Sequence, residues 1–448
     1  MNAAWIKYLP GALRSHLDGR HPLQQAITST GWLSLDKIAR IVLGVVIAIW
    51  LARVLGPAQF GKFNYALAYV ALFSSVANCG LDGIVVRNLV QNPDDKNLIL
   101  GSAFMLKLMG ALLAIAMCVG SVLLVEPNDA LARMLVMVLA LGLIFPAFDV
   151  VDFWFQSKVA SKYAVIAKMP ALLLMFGARA VLLLGAASLV AFAWVQALES
   201  AMAAVGLVFV YRYLGDRITN WRPALAYAVA LIKESWPLIL AGLSVMLYMK
   251  IDIVMLGKMS GDRETGLYSA ASRLSEGFYF VPMVITASFA PLLMRARATA
   301  RDQYMQSLLK LYVLMVRLSL ALAAVLAFVA PWLIEVLFGV DYSESSAVLR
   351  VHIWAAIGVF LGVASSQYLT NEGLQKLSLF RTLIGMVTNI VLNLMLIPAY
   401  GAMGAAVATL ISYFVATFAV ILDRRCTEQG KLMLKAMSPK RVLGLAAS

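Results

Sequence analysis

The sequence is poor in charged residues, cysteines and histidines, and each shortage argues against a class of protein. Charged residues make up 13% of the 448 residues, against about a quarter in soluble proteins, which disfavours a soluble fold. The 3 cysteines show no CxxC spacing, so neither a disulfide framework nor a zinc site is expected. Two of the 3 histidines, His16 and His21, lie in a polar N-terminal segment, which leaves little support for histidine-based catalysis.

Motifs of catalysis and nucleotide hydrolysis are also missing. The sequence shows no GxxxxGK[ST] phosphate-binding loop and no HExxH or GxSxG motif, so we expect no enzyme, no cofactor and no metal. A membrane glycan polymerase or ligase stays open as the enzymatic alternative, although the outward loops near 126–131 and 339–346 are short for one. The first residues contain no apolar signal core, so we expect the N-terminus to be kept and the first membrane helix to direct insertion.

Long apolar runs are what the sequence does have. Hydrophobic residues make up 62%, the mean hydropathy is +0.85, and a membrane-spanning helix needs about 20 mostly apolar residues. We therefore predict an all-α, polytopic integral membrane protein with about twelve transmembrane helices. The predicted spans are 33–54, 64–78, 98–124, 132–150, 163–184, 189–211, 234–255, 268–294, 311–338, 347–369, 379–398 and 404–422.

Lysine and arginine are distributed unevenly between the two sides of these spans. If the N-terminus is cytoplasmic, most basic residues outside the spans fall on the cytoplasmic side, as the positive-inside rule requires. The opposite side receives Arg53, Lys62, Arg133, Lys258 and Arg263. Both termini are therefore predicted to be cytoplasmic, and this asymmetry accounts for much of the net charge of +14 without nucleic acid as a partner.

A short motif is repeated at equivalent helix junctions. Leu55-Gly56, followed by 61–66, recurs as Leu256-Gly257, followed by 266–271, with four extra loop residues in the second copy. Six spans per half predict two six-helix lobes related by a pseudo-twofold axis along the membrane normal. The predicted divisions are a cytoplasmic N-terminal segment (1–32), an N-lobe (33–212), a cytoplasmic loop (213–232), a C-lobe (233–422) and a cytoplasmic basic tail (423–448).

Charged residues inside the spans are costly unless they are paired or face water. Asp36 and Arg40, four residues apart, can pair on one helix face, as can Arg273 and Glu276, three apart. Lys250 and the residue two positions later, Asp252, point about 160° apart and need different partners.

Two other basic residues, Lys107 and Arg179, have no acid at helical spacing. Each needs an acid from another helix, a water-filled cavity or an anionic ligand. Together with Lys250 and Arg273, they predict a net positive lumen suited to a phosphate-bearing or acidic-sugar cargo.

The candidate functional residues follow from these positions. The substrate-path candidates are Lys37, Arg40, Lys107, Arg179, Lys250, Arg273 and Arg350. The acids that could couple an ion or pair with these cations are Asp36, Glu199, Asp252 and Glu276. A purely structural role, in which the charges only tie helices together, stays open for each pair.

Several stretches resemble a known family. They are ARVLGPAQFG (52–61), GLDGIVVR (80–87), DFWFQ (152–156), KESWPL (233–238), GLYSAASRLSE (266–276) and TNEG (370–373). Over nearly the whole chain the sequence resembles the polysaccharide biosynthesis, Wzx-type O-antigen flippase family of the multidrug/oligosaccharidyl-lipid/polysaccharide exporter superfamily.

The resemblance implies a two-lobed transporter in the bacterial inner membrane. Such a protein moves an undecaprenyl-pyrophosphate-linked oligosaccharide, the repeat unit of O-antigen lipopolysaccharide or a similar surface polysaccharide, from the inner to the outer leaflet by alternating access. Its implied partners are this lipid-linked substrate, membrane lipids, a polysaccharide polymerase and a chain-length regulator. Within the superfamily, a lipid II flippase is disfavoured by twelve spans rather than fourteen, and a cation-coupled drug antiporter is disfavoured by the basic lumen; both stay open.

Overall fold

The computed structural model describes residues 21–185 and 187–442. Residues 1–20 of the predicted N-terminal segment and 443–448 of the predicted basic tail lie outside the described residues. The described part is built from helices and contains no strand.

The helices run almost without interruption. The first eight are α1 His21–Asn78, α2 Asp82–Gln91, α3 Lys96–Val125, α4 Ala130–Leu141, α5 Val150–Ser157, α6 Lys162–Leu184, α7 Leu189–Tyr213 and α8 Leu225–Met259. The next eight are α9 Asp262–Glu276, α10 Phe280–Thr299, α11 Arg301–Phe338, α12 Ser345–His352, α13 Ala355–Asn371, α14 Gln375–Phe418, α15 Thr427–Ala436 and α16 Pro439–Val442. Short 3-10 turns join several of them, including Gly142–Asp149 between α4 and α5.

Ten helical segments of the described chain are long and apolar enough to cross a membrane. Two of them, Leu35–Gln91 with 57 residues and Gln375–Leu422 with 48, are each long enough for two crossings, since a crossing takes about 20 residues. The helix α1 in the first segment and the helix α14 in the second each contain one non-helical glycine, and division there brings the number of segments to twelve. The prediction of an all-α, polytopic membrane protein is confirmed.

The two interruptions have a local cause. Gly56 has φ 71° and ψ 170° and precedes Pro57, whose ring disfavours a helical conformation in the residue before it. Gly401 has φ 52° and ψ −131° and follows Pro398, which lacks the N–H for a helical hydrogen bond. Glycine adopts a positive φ without the steric penalty of a Cβ, so these two residues let the chain turn between crossings.

Large apolar side chains cover the outside of the helices. Phe328, Leu124 and Leu184 are 85%, 83% and 80% exposed, which would be costly in water but is favourable in lipid.

The chain packs as two compact units. Of the described residues, unit 1 comprises those within 21–47 and 73–243, and unit 2 comprises those within 48–72 and 244–442. The predicted N-lobe, 33–212, differs from unit 1 because 48–72, on either side of Gly56, packs with unit 2. The predicted lobe boundaries and the pseudo-twofold axis stay predictions.

Unit 1 includes most of the predicted cytoplasmic loop. Trp221 is 9% exposed and packs against the rings of Phe104 and Tyr211, with centroids 5.3 and 6.0 Å away. Its indole N–H donates to the Tyr211 hydroxyl at 3.2 Å. The loop is therefore fastened to unit 1, and its second part already belongs to α8.

In unit 2 the two copies of the repeated motif contact each other. A Cβ on Gly61 would overlap the backbone of Asp262 and Gly266, and a Cβ on Gly266 would overlap the Pro57 carbonyl. Lys62 forms an ion pair with Asp262 at 3.0 Å beside this contact. Glycine is required here because the backbones approach too closely for any side chain.

The C-terminal helix α15 packs against unit 2. Gln429, Met433 and Ala436 are fully buried, while Glu428 forms an ion pair with Arg301 of α11 at 2.6 Å. Part of the predicted basic tail is thus a folded component of unit 2.

Candidate functional site: charged clusters inside the two units

Unit 1 holds a cluster of paired charges inside its membrane helices. Arg179 of α6 donates to Glu199 of α7 at 2.6 Å and to Gln196 at 2.9 Å. Arg40 of α1 forms the ion pair with Asp36 that their spacing predicts, at 3.0 Å, and also lies 3.7 Å from Glu199. Arg179 and Glu199 are each 13% exposed at the side chain. Glu199 therefore links two arginines from different helices.

A second group of charges in unit 1 was missed by the sequence analysis. Lys168 of α6 forms ion pairs with Asp149 at 2.9 Å and with Asp152 at 2.7 Å. Gln156 donates to the same Asp152 carboxylate at 3.1 Å. Lys168 lies inside the predicted span 163–184, so its depth was a usable signal, but its partners come from a different part of the sequence.

A cavity of about 190 Å³ connects the two groups. The Asp36 Oδ1 and Arg40 Nη2 atoms are buried and have no hydrogen-bond partner within the described residues. The charged side chains that line the cavity are Asp36, Arg40, Asp149, Lys168 and Glu199. Because it carries three carboxylates and two cations, its charge is nearly balanced. The predicted net positive lumen stays a prediction, since this cavity lies within one unit.

Lys107 is not among the residues that line that cavity and lies deep in α3. Its side chain is 1% exposed, and its Nζ atom is 3.9 Å from the Asp82 carboxylate and 4.9 Å from the centre of the Phe153 ring. The partner is thus an acid from another helix, which is one of the three environments that the sequence left open.

In unit 2, Glu276 pairs with Lys250. The two side chains, on α9 and α8, approach to 3.2 Å. Arg273, the predicted helical partner of Glu276, donates to the Asn64 side chain at 3.5 Å. Lys250, which has no acid at helical spacing, thus finds one on a neighbouring helix.

Asp252 faces a separate, fully buried group, as the angle between it and Lys250 predicts. Asp252 is 3% exposed and accepts hydrogen bonds from the Tyr268 hydroxyl and from Thr409 at 3.0 Å. Its other carboxylate oxygen is buried and has no partner in the described chain. Asp252 therefore keeps one carboxylate oxygen without a hydrogen bond, as Asp36 does, and its bonded oxygen is held by neutral hydroxyls.

His352 borders this group, although the sequence analysis gave it no role. It is 1% exposed, shares a hydrogen bond with the Ser275 hydroxyl at 2.5 Å and packs edge-on against Tyr268, with ring centroids 5.6 Å apart. Its Nε2 atom has no partner within the described residues. A titratable ring and an acid thus share one aromatic neighbour in unit 2.

Two substrate-path candidates lie outside these clusters. Lys37 and Arg350 are exposed on the surfaces of their units, and Arg350 donates to the Ala327 carbonyl at 3.2 Å. Their role as substrate-path residues, like that of the other candidates, stays a prediction.

The described residues show no group of three or more His, Cys, Asp or Glu side chains that could hold a metal ion. The cysteines Cys79, Cys118 and Cys426 are free and buried. The chemistry that the clusters offer is reversible binding of charge, through ion pairs and hydrogen bonds inside an apolar protein.

The sequence matches two family models and several curated proteins. Residues 26–277 match the family model described as polysaccharide biosynthesis protein, and residues 237–395 match the MatE model. Among curated proteins, the chain is 30% identical over 220 residues to a probable flippase, AglR, of Haloferax volcanii, which covers 46% of this chain and 44% of the relative. It is 24% identical over 202 residues to a probable low-salt glycan biosynthesis flippase, Agl15, of the same organism, covering 44% and 42%. The chain thus matches less than half the length of these relatives.

Solved structures share the fold over most of the chain. An inward-facing multidrug resistance MATE family transporter of the MOP superfamily aligns with a TM-score of 0.73 and 16% identity, covering 92% of this chain and all (100%) of that one. The lipid II flippase MurJ aligns with a TM-score of 0.69 and 12% identity, covering 90% of each chain. A MOP superfamily transporter from Pyrococcus furiosus aligns with a TM-score of 0.63 and 14% identity, covering 95% and 97%. At these identities the likeness shows the fold.

Proposed function

Since the chain belongs to the polysaccharide biosynthesis protein family, we propose that it is a flippase that carries a lipid-linked oligosaccharide between the two leaflets of a membrane. The observation that supports this most directly is the charged cavity inside unit 1, about 190 Å³ in volume and surrounded by membrane helices. Charges are retained inside membrane proteins where they bind cargo or ions or pair with one another. A flippase needs such polar surface for a sugar headgroup, while the lipid tail stays in hydrocarbon.

The identity of the cargo and the direction of transport are proposed from the family resemblance of the sequence. The cargo is an undecaprenyl-pyrophosphate-linked repeat unit of O-antigen or a similar polysaccharide, moved outward across the bacterial inner membrane by alternating access. A diphosphate diester carries about two negative charges, and outward movement releases roughly 2.3 kcal/mol per charge for each 100 mV of potential, negative inside. A polysaccharide polymerase and a chain-length regulator would act on the product.

Ion coupling belongs to the same proposal. The candidates are the acids Asp36, Glu199, Asp252 and Glu276. Asp252 is favoured because it accepts hydrogen bonds from the neutral hydroxyls of Tyr268 and Thr409, whereas each of the other three forms an ion pair. A carboxylate that gains a proton or a cation loses its net charge, which lowers the cost of its position inside the membrane.

Deletion of the gene tests the function. We expect a lipid-linked intermediate to accumulate in the inner leaflet, where an impermeant oxidant applied to intact cells does not reach its sugars, and surface polysaccharide to be lost. The wild-type gene should reverse both effects. An intermediate that the oxidant does reach would favour a membrane glycan polymerase or ligase.

The same deletion distinguishes the flippase from a drug antiporter and from a lipid II flippase. Normal polysaccharide with increased drug sensitivity would favour the drug antiporter, and a block in peptidoglycan synthesis would favour the lipid II flippase. Either outcome contradicts the proposed cargo.

A further inference from the structure

Unit 2 contains a further cation inside a membrane helix, Arg381, which the sequence analysis did not select as a site residue. It lies in α14, about 9 Å along the helix from the first residue, and is half-buried. Its guanidinium donates to the hydroxyls of Ser365 at 3.2 Å and Ser366 at 2.6 Å and to the Gly362 carbonyl at 2.9 Å, all on α13.

These partners orient Arg381 without neutralising it. Within 21–185 and 187–442, its hydrogen bonds go to neutral oxygens, whereas Arg40, Arg179 and Lys250 each pair with a carboxylate. Three such bonds also leave two of the five N–H donors of a guanidinium unused. An arginine without a carboxylate partner inside a membrane is stabilised when an anion binds to its unused N–H groups.

A second unpaired donor lies near Arg381. Tyr248 of α8 lies against α14 one turn beyond Arg381, because a Cβ on Gly385 would come within 2.9 Å of the Tyr248 ring. The Tyr248 hydroxyl is buried and has no hydrogen-bond partner within the described residues, while its ring packs edge-on against Tyr413 at 4.7 Å. A phenolic O–H beside a guanidinium is a donor pair of the kind that binds an oxyanion.

The site is held in place from the C-terminal side. Gln429 of α15 is fully buried and donates to the Ser365 hydroxyl at 2.7 Å and to the Tyr312 hydroxyl at 3.2 Å. The Ser365 hydroxyl that receives Arg381 is therefore fixed by a second helix. Such support gives the guanidinium a defined direction before a ligand arrives.

We propose that Arg381 and Tyr248 form an oxyanion subsite in unit 2, which rests on the proposed flippase function and deepens it. The ligand is an oxygen-rich anionic group of the cargo, supplied either by the diphosphate linker or by the carboxylate of an acidic sugar. Arginine suits both because its planar fork matches phosphate and carboxylate oxygens.

Binding to the purified full-length protein, in nanodiscs of zwitterionic lipid, tests the subsite. The probes are geranylgeranyl diphosphate, the uncharged geranylgeraniol, galacturonate and galactose. We expect Arg381→Gln to weaken binding of the diphosphate or of galacturonate by about tenfold or more, since charge-assisted hydrogen bonds are lost. Binding of the matching uncharged probe, geranylgeraniol for the diphosphate or galactose for galacturonate, should not change. Arg381→Lys should keep part of the affinity, and Tyr248→Phe should lose a few fold.

The matched control is Arg317→Gln, because Arg317 is an exposed arginine of unit 2 that donates to the Arg441 carbonyl. It should bind all probes like the wild type. A diphosphate-specific loss assigns the subsite to the linker, and a galacturonate-specific loss assigns it to the sugar. Equal binding by Arg381→Gln and wild type, or an equal loss for charged and uncharged probes, overturns the subsite.

Failure of the subsite and failure of the proposed function give different results. If the gene deletion blocks flipping while Arg381→Gln binds normally, the flippase stands and the subsite falls. If the deletion leaves glycan transport intact while Arg381 still controls anion binding, the subsite stands and the cargo assignment falls. Should Arg381→Gln fail to fold, the Tyr248→Phe and Arg381→Lys comparisons decide, because normal affinity in both contradicts the subsite.

Discussion

The individual charged residues inside the membrane helices are held by partners from other helices, and this decides which substitutions are costly. Glu199 serves two arginines, Arg179 at 2.6 Å and Arg40 at 3.7 Å. Removing the acid leaves Arg179 with the neutral Gln196 and Arg40 with one carboxylate, that of Asp36, instead of two. Removing Arg179 leaves Glu199 still beside Arg40. Loss of one partner of a shielded ion pair costs more than loss of both, because the remaining charge stays uncompensated.

We therefore expect Glu199→Gln to destabilise unit 1 by about 1–3 kcal/mol and Arg179→Gln by less. The double substitution of both residues should be more stable than Glu199→Gln alone, since it removes one of the cations left behind. Apparent melting temperatures of the purified protein in detergent give the order. Arg217→Gln, at an exposed position of unit 1, is the control and should melt like the wild type. A larger loss for Arg179→Gln than for Glu199→Gln would contradict the assignment of Glu199 as the shared partner.

At the scale of elements, the sequence could predict helices but not the contacts between them. The length of an apolar run sets a membrane crossing directly, so each predicted span overlaps one of the ten long apolar segments of the described chain, and two segments overlap two spans each. The ion pairs of Lys107, Arg179 and Lys250 join residues on different helices, and helical spacing reports neighbours only within one helix. For the same reason, helical spacing suggested Arg273 as a partner of Glu276 but could not reveal Lys250, which lies on another helix.

The contact between the repeated motifs gives a test at this scale. Gly266→Ala should destabilise unit 2 by about 1–3 kcal/mol, the usual cost of overpacking, because the new methyl group would overlap the Pro57 carbonyl. A lower apparent melting temperature and a lower yield of folded protein would show it. The control is Gly120→Ala, since Gly120 lies inside α3 with no atom within 4 Å of an added Cβ and alanine favours a helix. Equal stability of the two variants would show that the helices can separate without cost.

At the scale of the whole molecule, the prediction that sequence alone supports best is orientation. The structure contains no membrane, and helix packing is the same for either orientation of the chain. The uneven distribution of lysine and arginine carries the information instead, because basic loops are retained on the cytoplasmic side during insertion. It predicts that 212–233 is cytoplasmic, together with both termini.

Thiol labelling can test this orientation at two exposed positions. Thr219 lies in the predicted cytoplasmic loop and Asn128 in a loop on the predicted opposite side, and both are exposed. The natural cysteines Cys79, Cys118 and Cys426 are buried, so we expect little background. In intact cells, an impermeant maleimide should label Asn128→Cys and leave Thr219→Cys unmodified until the membrane is opened. The reverse pattern would invert the topology, and with it the direction in which the membrane potential favours an anionic cargo.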